Sequence, residues 1–256
     1  MELSANRILV VGCVHANTGW LIQKVLPTAR ELGCEAVLVA GDFGYWASER
    51  KFLDKAKNSL VRFGVSTWFI DGNHEEHPRL SRESGDEPNA VNLGGSLFYI
   101  RRGGKVKVGG VEVVGLGGAA SIDRLYRTPG RDWFSEEFLT EEDIEKVSET
   151  GRAPVLITHD APSGWAIPGL IARESIDPLW VPLLDECTKH RIEMRRALEI
   201  VRPKLLIHSH YHSGYELISQ ENWGQMRVVG LDRDNSTRWG RVLSEVNGEP
   251  VLSDWV

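Results

Sequence analysis

Ile8-Leu9-Val10-Val11-Gly12-Cys13-Val14-His15 is four apolar residues, a glycine, and then side chains able to bind a metal. A short, wholly apolar run fits a strand covered on both faces, and the glycine after it fits a sharp exit. The same grammar recurs twice. Ala36-Val37-Leu38-Val39-Ala40 ends at Gly41-Asp42, and Val65-Ser66-Thr67-Trp68-Phe69-Ile70 ends at Asp71-Gly72-Asn73-His74. Between these runs, Thr18 to Leu32 carries apolar residues at helical spacing (Leu21, Ile22, Val25, Ala29, Leu32) closed by Gly33, and a second helix is expected from about Ser48 to Phe63. Three successive strand–helix units predict a parallel sheet with helices outside it.

Further along, the pattern changes. Residues 97–100, 105–108 and 111–116 read as short strands, the last two joined by Gly109-Gly110. Helices are expected at 141–149 and from about Lys189 to Val201, and strands at 154–158 and 203–207. Residues 214–218, 226–231 and 241–246 read as antiparallel strands. The whole predicts an α/β (α+β) fold, a four-layer α/β/β/α sandwich of two mixed sheets flanked by helices. One domain over residues 1–256 is expected, with loop insertions near 121–135 and 161–182; the second holds Pro162, Pro168, Pro178 and Pro182. Loops that long in compact domains are commonly lids or rims.

Composition narrows the classes. With 41% apolar and 26% charged residues over 256 positions, the chain can fill a large core, which excludes disordered and low-complexity types. A net charge of −6 argues against an extended nucleic-acid coat. Three scattered cysteines, Cys13, Cys34 and Cys187, make no disulfide framework and suggest a reducing compartment. No apolar run nears the roughly 20 residues that span a bilayer, and Met1 to Arg7 has no signal-peptide layout. A cytoplasmic protein is expected.

Metal-binding side chains stand where the expected strands end: Cys13 and His15, Asp42, Asn73-His74-Glu75, His159-Asp160, and His208-Ser209-His210-Tyr211-His212. In open α/β sheets ligands sit beyond the carboxyl ends of strands, so five such clusters can converge on one crevice. Imidazole, carboxylate and amide donors suit a divalent ion such as manganese, iron, nickel or zinc.

This ordered set resembles the calcineurin-like metallophosphoesterase superfamily, whose pattern runs GDxH, GD, GNH[DE], H, GHxH, over roughly residues 7–215. Thr158-His159-Asp160-Ala161-Pro162-Ser163-Gly164 is similar to members from actinobacteria and their phages, which would place a phage-encoded protein in the host cytoplasm. The resemblance implies two divalent ions, manganese being the expected one. The first would be held by position 13, His15, Asp42 and His212, and the second by Asp42, Asn73, His159 and His210. Asp42 would bridge them, a hydroxide held between the ions would attack phosphorus, and His74 would protonate the leaving oxygen. Two departures stand out. Ser209 replaces a glycine, and Cys13 replaces an aspartate. Cys13 can ligate as a thiolate, leave the first site weak but occupied, or leave it empty.

Serine/threonine phosphatases of the superfamily carry Asp-Arg-Gly after the second motif and an arginine before the third. Here Phe43-Gly44-Tyr45-Trp46 and Asp71 occupy those places. A phosphomonoester dianion gains most from guanidinium clamps, so their loss points to a phosphodiester. Trp46, Trp133 and Trp165 are candidates to stack a base, and Arg124, Arg127 or Arg131 to reach the phosphate. The expected substrate is a small nucleotide or short nucleic-acid diester, a 2′,3′-cyclic nucleotide first, because its strained ring asks least of an impaired first site. A phosphomonoesterase, a protein phosphatase or a scaffold without catalysis are the alternatives; oligomeric state is left open. His77 and His190 are expected at the surface, His208 behind the site or in the core, Cys34 and Cys187 as inert packing or surface residues, and Glu75 and Asp160 either orienting histidines or solvated.

Overall fold

The computed structural model describes residues 7–46, 50–83, 85, 87–170 and 173–256. The expected helix start at Ser48, the first six residues, and residues 171 and 172 of the second insertion lie outside the described residues.

Alternation along the first strands builds the layers. In β1 (Arg7–Val11), Ile8 and Val10 face one way and Leu9 and Val11 the other, and all four are buried. β2 (Ala36–Val39) repeats this with Ala36 and Leu38 against Val37 and Val39. One set joins Ile70, Ile100, Val113, Val155, Ile157, Leu205 and Ile207 between two sheets. The other packs under the helices Thr18–Glu31 and Arg50–Phe63. With β3 (Ser66–Phe69), β4 (Ala90–Gly94), β5 (Leu97–Ile100), β6 (Gly104–Val108), β7 (Val111–Leu116), β8 (Val155–Thr158), β9 (Leu205–His208), β10 (Tyr215–Glu221), β11 (Gly224–Gly230), β12 (Gly240–Val246) and β13 (Glu249–Trp255), the strands form a seven-stranded sheet in the order β13-β12-β1-β2-β3-β5-β4 and a six-stranded sheet in the order β10-β11-β9-β8-β7-β6. The helices Glu141–Thr150 and Val181–Val201 cover the outer face of the second sheet through Ile144, Val147, Met194, Ala197, Leu198 and Val201. Both sheets are mixed and both are flanked by helices, so the layering matches the sequence expectation.

Four local readings need correction. The helix after the second insertion begins at Val181, not near Lys189, because Pro182 sits in its first turn, where no amide hydrogen is required. That insertion therefore ends at residue 180. β11 is antiparallel to β10 but runs parallel to β9, so the late strands are not one antiparallel set. β4 and β13 were not foreseen. β13 is hairpinned to β12 through Asn247-Gly248, both at positive φ. His77 and His190 are buried, at 6% and 3% exposure, instead of at the surface. His190 Nδ1 lies 2.8 Å from Asp160 Oδ2, and His77 faces Asp71. Cys34 is buried and Cys187 half-buried. The helix from Thr18 to Glu31 contains a π-helical run, Leu21–Val25, where Leu26 N–H reaches Leu21 O. Pro27, next along, has no N–H to continue the ordinary ladder.

One buried ion pair ties the first sheet to the loop and helix beyond the second. The Arg102 guanidinium donates to Asp71 Oδ2 from Nε (2.9 Å) and Nη2 (2.7 Å), to the carbonyls of Phe138 and Glu136, and to Asp143 (3.2 Å). Tyr99 donates to the other Asp71 oxygen at 2.9 Å. Burial opposes ionisation of Asp71, yet Arg102 and His77 outweigh it and hold its pKa below the usual carboxylate range. A folded pKa depressed in this way contributes stability that is complete above the unfolded value and lost as pH falls through the folded one. Arg102→Met is therefore expected to cost about 3–5 kcal/mol at pH 7, since it strands a buried carboxylate. The gap to the parent should narrow below about pH 4, where Asp71 of the variant is protonated. Urea unfolding at pH 7 and pH 3 checks this; an equal gap at both would contradict it.

Candidate metal centre

The ends of β1, β2 and β3 in one sheet and of β8 and β9 in the other bring five loops together. Backbone hydrogen bonds stitch them: Val14 and His15 donate to Asp42 O (3.0 and 2.8 Å), Ala16 to Phe43 O (3.1 Å), and Ser209 to His159 O (3.2 Å). The turns are tight enough that His15, Asp42, His210 and His212 all adopt left-handed backbone, with φ of 49°, 51°, 68° and 48°. That conformation costs an L-residue roughly 1–2 kcal/mol, a strain characteristic of functional sites. Ser209 has a negative φ, so serine there carries no such strain.

Asp42 lies at the centre, 1% exposed. Its Oδ2 is 3.5 Å from His15 Nε2 and 3.3 Å from His159 Nε2, while Oδ1 accepts the backbone N–H of His74 at 2.9 Å. On one side of it, Cys13, His15 and His212 place donor atoms within 4.8 Å of one another; Cys13, Asp42 and His159 form a second such group. On the far side, Asn73 Oδ1 is 3.2 Å from His159 Nε2, and the His210 ring centroid is 5.0 Å from that of His159. The His15 ring is 5.0 Å from His212 and 5.9 Å from His74. All seven sequence-derived ligand candidates, with His74, thus meet in one place. Burial is graded, from fully enclosed Cys13 and His159 to exposed His212, so the cluster opens to solvent on that side.

Neighbours aim these donors. His159 Nδ1 is 2.7 Å from Ala40 O, which takes the Nδ1 hydrogen and turns Nε2 towards Asp42. Asn73 Nδ2 donates to Ser121 Oγ (3.0 Å), and Ser121 in turn donates to Glu137 Oε2 (2.5 Å), which directs the Asn73 oxygen inward. His15 Nδ1 is 3.5 Å from Asp234, itself held by Asn17. Glu75 is buried and accepts from the amides of Gly44 (2.9 Å) and Gly72 (2.5 Å), joining the loops after β2 and β3. Ser121, Glu137 and Asp234 are not marked by the sequence, since none has a spacing that links it to the motifs.

The donor set behaves as a preformed cation site. Burial would raise the Cys13 thiol, but hydrogen bonds to His15 and His212 bring it down to about 6. Burial opposes a charge on His159, yet Asp42 beside it raises the ring to about 10, while Asp42 is held well below the carboxylate range. Burial and the neighbouring His159 push His210 down to about 3. Closely packed imidazole, carboxylate, amide and thiol donors, with tautomers fixed from behind, fit divalent metal.

The match to the calcineurin-like phosphoesterase family model covers residues 6–214. The chain belongs to that family. The family uses divalent metal ions, and this calcineurin-like phosphoesterase has the donors to hold them. Among solved structures, TT1561 of Thermus thermophilus is similar over 97% of this chain and 98% of its own, at TM-score 0.58 and 14% identity, which is a likeness of fold. A protein serine/threonine phosphatase from Saccharomyces cerevisiae, with similarity to human phosphatase PP5, aligns over 98% of this chain and 80% of its own at 14% identity; its TM-score of 0.37 bears no argument. No curated protein matches the chain. Among the described residues no helix is long and apolar enough to cross a membrane.

The other sequence candidates sit differently. Trp46 presents its ring 6.2 Å from His74, edge to face. Trp133 lies under Arg124, whose guanidinium is 5.1 Å from the ring and which pairs with Glu186 at 2.7 Å. Trp165 donates to Tyr215 OH (3.0 Å) and packs on the outer core of the second sheet. His208 is fully buried and 2.7 Å from the same hydroxyl. The structure brings Trp46 to the cluster, whereas the contacts of Trp133, Trp165 and Arg124 lie elsewhere. Asp71 presents no free charge beside the cluster, because Arg102 neutralises it, and Arg127 supplies a guanidinium that the motif positions lack.

Gly72 tests the packing. A methyl on it would fall 2.1 Å from Asp42 Oδ1, so Gly72→Ala must displace the central carboxylate. Metal retained after dialysis, read by elemental mass spectrometry, is expected to drop at least about tenfold in affinity with circular dichroism unchanged. Unaltered metal content would contradict the central role of Asp42.

Proposed function

We propose that this metal-dependent phosphoesterase hydrolyses a nucleotide phosphodiester, a 2′,3′-cyclic nucleotide being the first candidate. The observation that carries the reading is the convergence of seven ligand candidates and His74 on Asp42, in a family of phosphoesterases. Divalent ions held there supply electrophilic stabilisation of phosphoryl oxygens and lower the pKa of water. Cys13, His15, Asp42 and His212 are proposed for the first ion, and Asp42, Asn73, His159 and His210 for the second. Oxygen and imidazole donors suit manganese at the second position, whereas a Cys13 thiolate draws the first towards zinc or iron.

The chain's own groups do the rest. Asp42 would supply a negative charge facing both groups of donors. His74, anchored by its backbone N–H on Asp42, would take up a proton at the site and pass it to the leaving oxygen. Trp46 beside it offers an aromatic edge to a base. Diester specificity rests on the missing arginine motifs, with Phe43-Gly44-Tyr45-Trp46 and Asp71 in their places. A phosphomonoesterase is the second reading, which would need the guanidinium charge of Arg127 next to His74 to be free of its Asp123 partner. A scaffold without catalysis draws on Cys13 alone and leaves the retention of the other ligands without a cause. We place the protein in the cytoplasm, acting on a small nucleotide or short nucleic-acid end.

Turnover of bis-p-nitrophenyl phosphate and of 2′,3′-cyclic, 3′,5′-cyclic and linear diesters, with defined metals, tests the reading. Activity should vanish with chelator and return with metal. His74→Ala should lower kcat by about 10²–10⁴ while the metal stays bound. Preference for phosphomonoesters, or no turnover by metal-loaded protein, would overturn it.

A further inference from the structure

The loop of residues 121–135 delivers a guanidinium into the metal cleft. A 3₁₀ turn, Arg124–Tyr126, ends at extended Arg127, whose side chain is only 7% exposed. Its Nη2 lies 2.6 Å from His74 Nε2, and its Nη1 donates to Asn73 O at 3.3 Å. Asp123 grips the same group from behind, accepting from Nε at 3.0 Å and from Nη2 at 2.8 Å. The loop is not loose: Arg124 pairs with Glu186 on the helix Val181–Val201, and Tyr126 packs on Trp180 at 5.0 Å between ring centroids.

An i,i+4 pair made for stability has no reason to be driven into a cleft against a histidine and the carbonyl of a ligand-bearing residue. Since arginine is always a donor, His74 Nε2 is the acceptor in this contact, and the two groups hold each other beside the metal-ligand candidates. The donor fork aims at that point. Its charge is another matter, because Asp123 cancels it. The pair offers hydrogen bonds without net charge, which a monoanion can use fully. A dianion would gain more from an uncompensated guanidinium.

We propose that Arg127 binds a non-bridging oxygen of the substrate phosphate and that the Asp123–Arg127 pair, being neutral, selects a monoanionic phosphodiester over a dianionic monoester. This rests on the hydrolase reading above and names the residues that set its substrate class. When the phosphate enters, the Arg127 Nη donors turn from His74 Nε2 and Asn73 O to phosphoryl oxygen.

The test compares kcat/KM for bis-p-nitrophenyl phosphate and p-nitrophenyl phosphate in metal-loaded wild type, Asp123→Asn, Asp123→Glu and Arg127→Ala. Asp123→Asn leaves the guanidinium charge uncompensated and should raise the monoester-to-diester ratio roughly tenfold, the scale of one charge-assisted hydrogen bond. Asp123→Glu restores the charge and should return the ratio towards wild type. Arg127→Ala should raise KM for the diester by roughly tenfold or more with metal content unchanged. A loop with a merely structural role would change both substrates alike. Wild type active on diesters, with the ratio unmoved in Asp123→Asn or KM unmoved in Arg127→Ala, overturns this inference alone. Metal-loaded wild type inactive on diesters counts instead against the hydrolase reading.

Discussion

The site depends on one carboxylate facing two ways. Asp42 presents a single oxygen to both His15 and His159 and gives its other oxygen to the His74 amide. Both groups of donors meet at this carboxylate, so two ions held there would share its charge, and the position of this side chain sets the position of the donors around it. The surrounding structure is arranged to leave it no choice. Its backbone is held left-handed, its carbonyl takes two amides from the loop after β1, and Gly72 lacks the side chain that would occupy its space. Glu75 closes the arrangement from below by clamping the amides of Gly44 and Gly72. Burial and the charge of Asp42 push Glu75 up to about 7, the cost of placing a second carboxyl near the first.

The sandwich was legible because its strands are buried on both faces. Ile8-Leu9-Val10-Val11 and its counterparts are buried throughout and almost wholly apolar, so the strand ends stand out clearly, and the ligand candidates follow directly after them. Legibility failed where local grammar was ambiguous. Pro182 reads as loop unless it falls in the first turn of a helix, and β4 carries Asn92 and a bulge instead of alternation. β13 follows Asn247-Gly248, a hairpin signal, but Glu249, Pro250, Ser253 and Asp254 obscure the strand itself. Single side chains were harder still. Nothing in the one-dimensional pattern distinguishes buried His190, which answers Asp160, from a surface histidine. Nor does it show that Arg127, rather than Arg124, turns inward, because that choice is made by how the loop crosses the sheet ends.

The two departures from the family pattern touch each other. Cys13 Sγ and Ser209 Oγ are 3.1 Å apart, and Ser209 also donates to Leu231 O at 3.2 Å. A serine hydroxyl has one hydrogen. While that hydrogen goes to Leu231, Sγ must be the donor to Ser209, and the cysteine is a thiol. Once the thiol loses its proton, the hydroxyl can rotate to donate to sulfur and stabilise the thiolate. A glycine at 209 would leave a buried thiolate without this partner, and an aspartate at 13 would not need it. The serine thus makes chemical sense as the companion of the cysteine. Together they place a thiol where the family pattern has a carboxylate, in a cleft where His15 and His212 favour its anion.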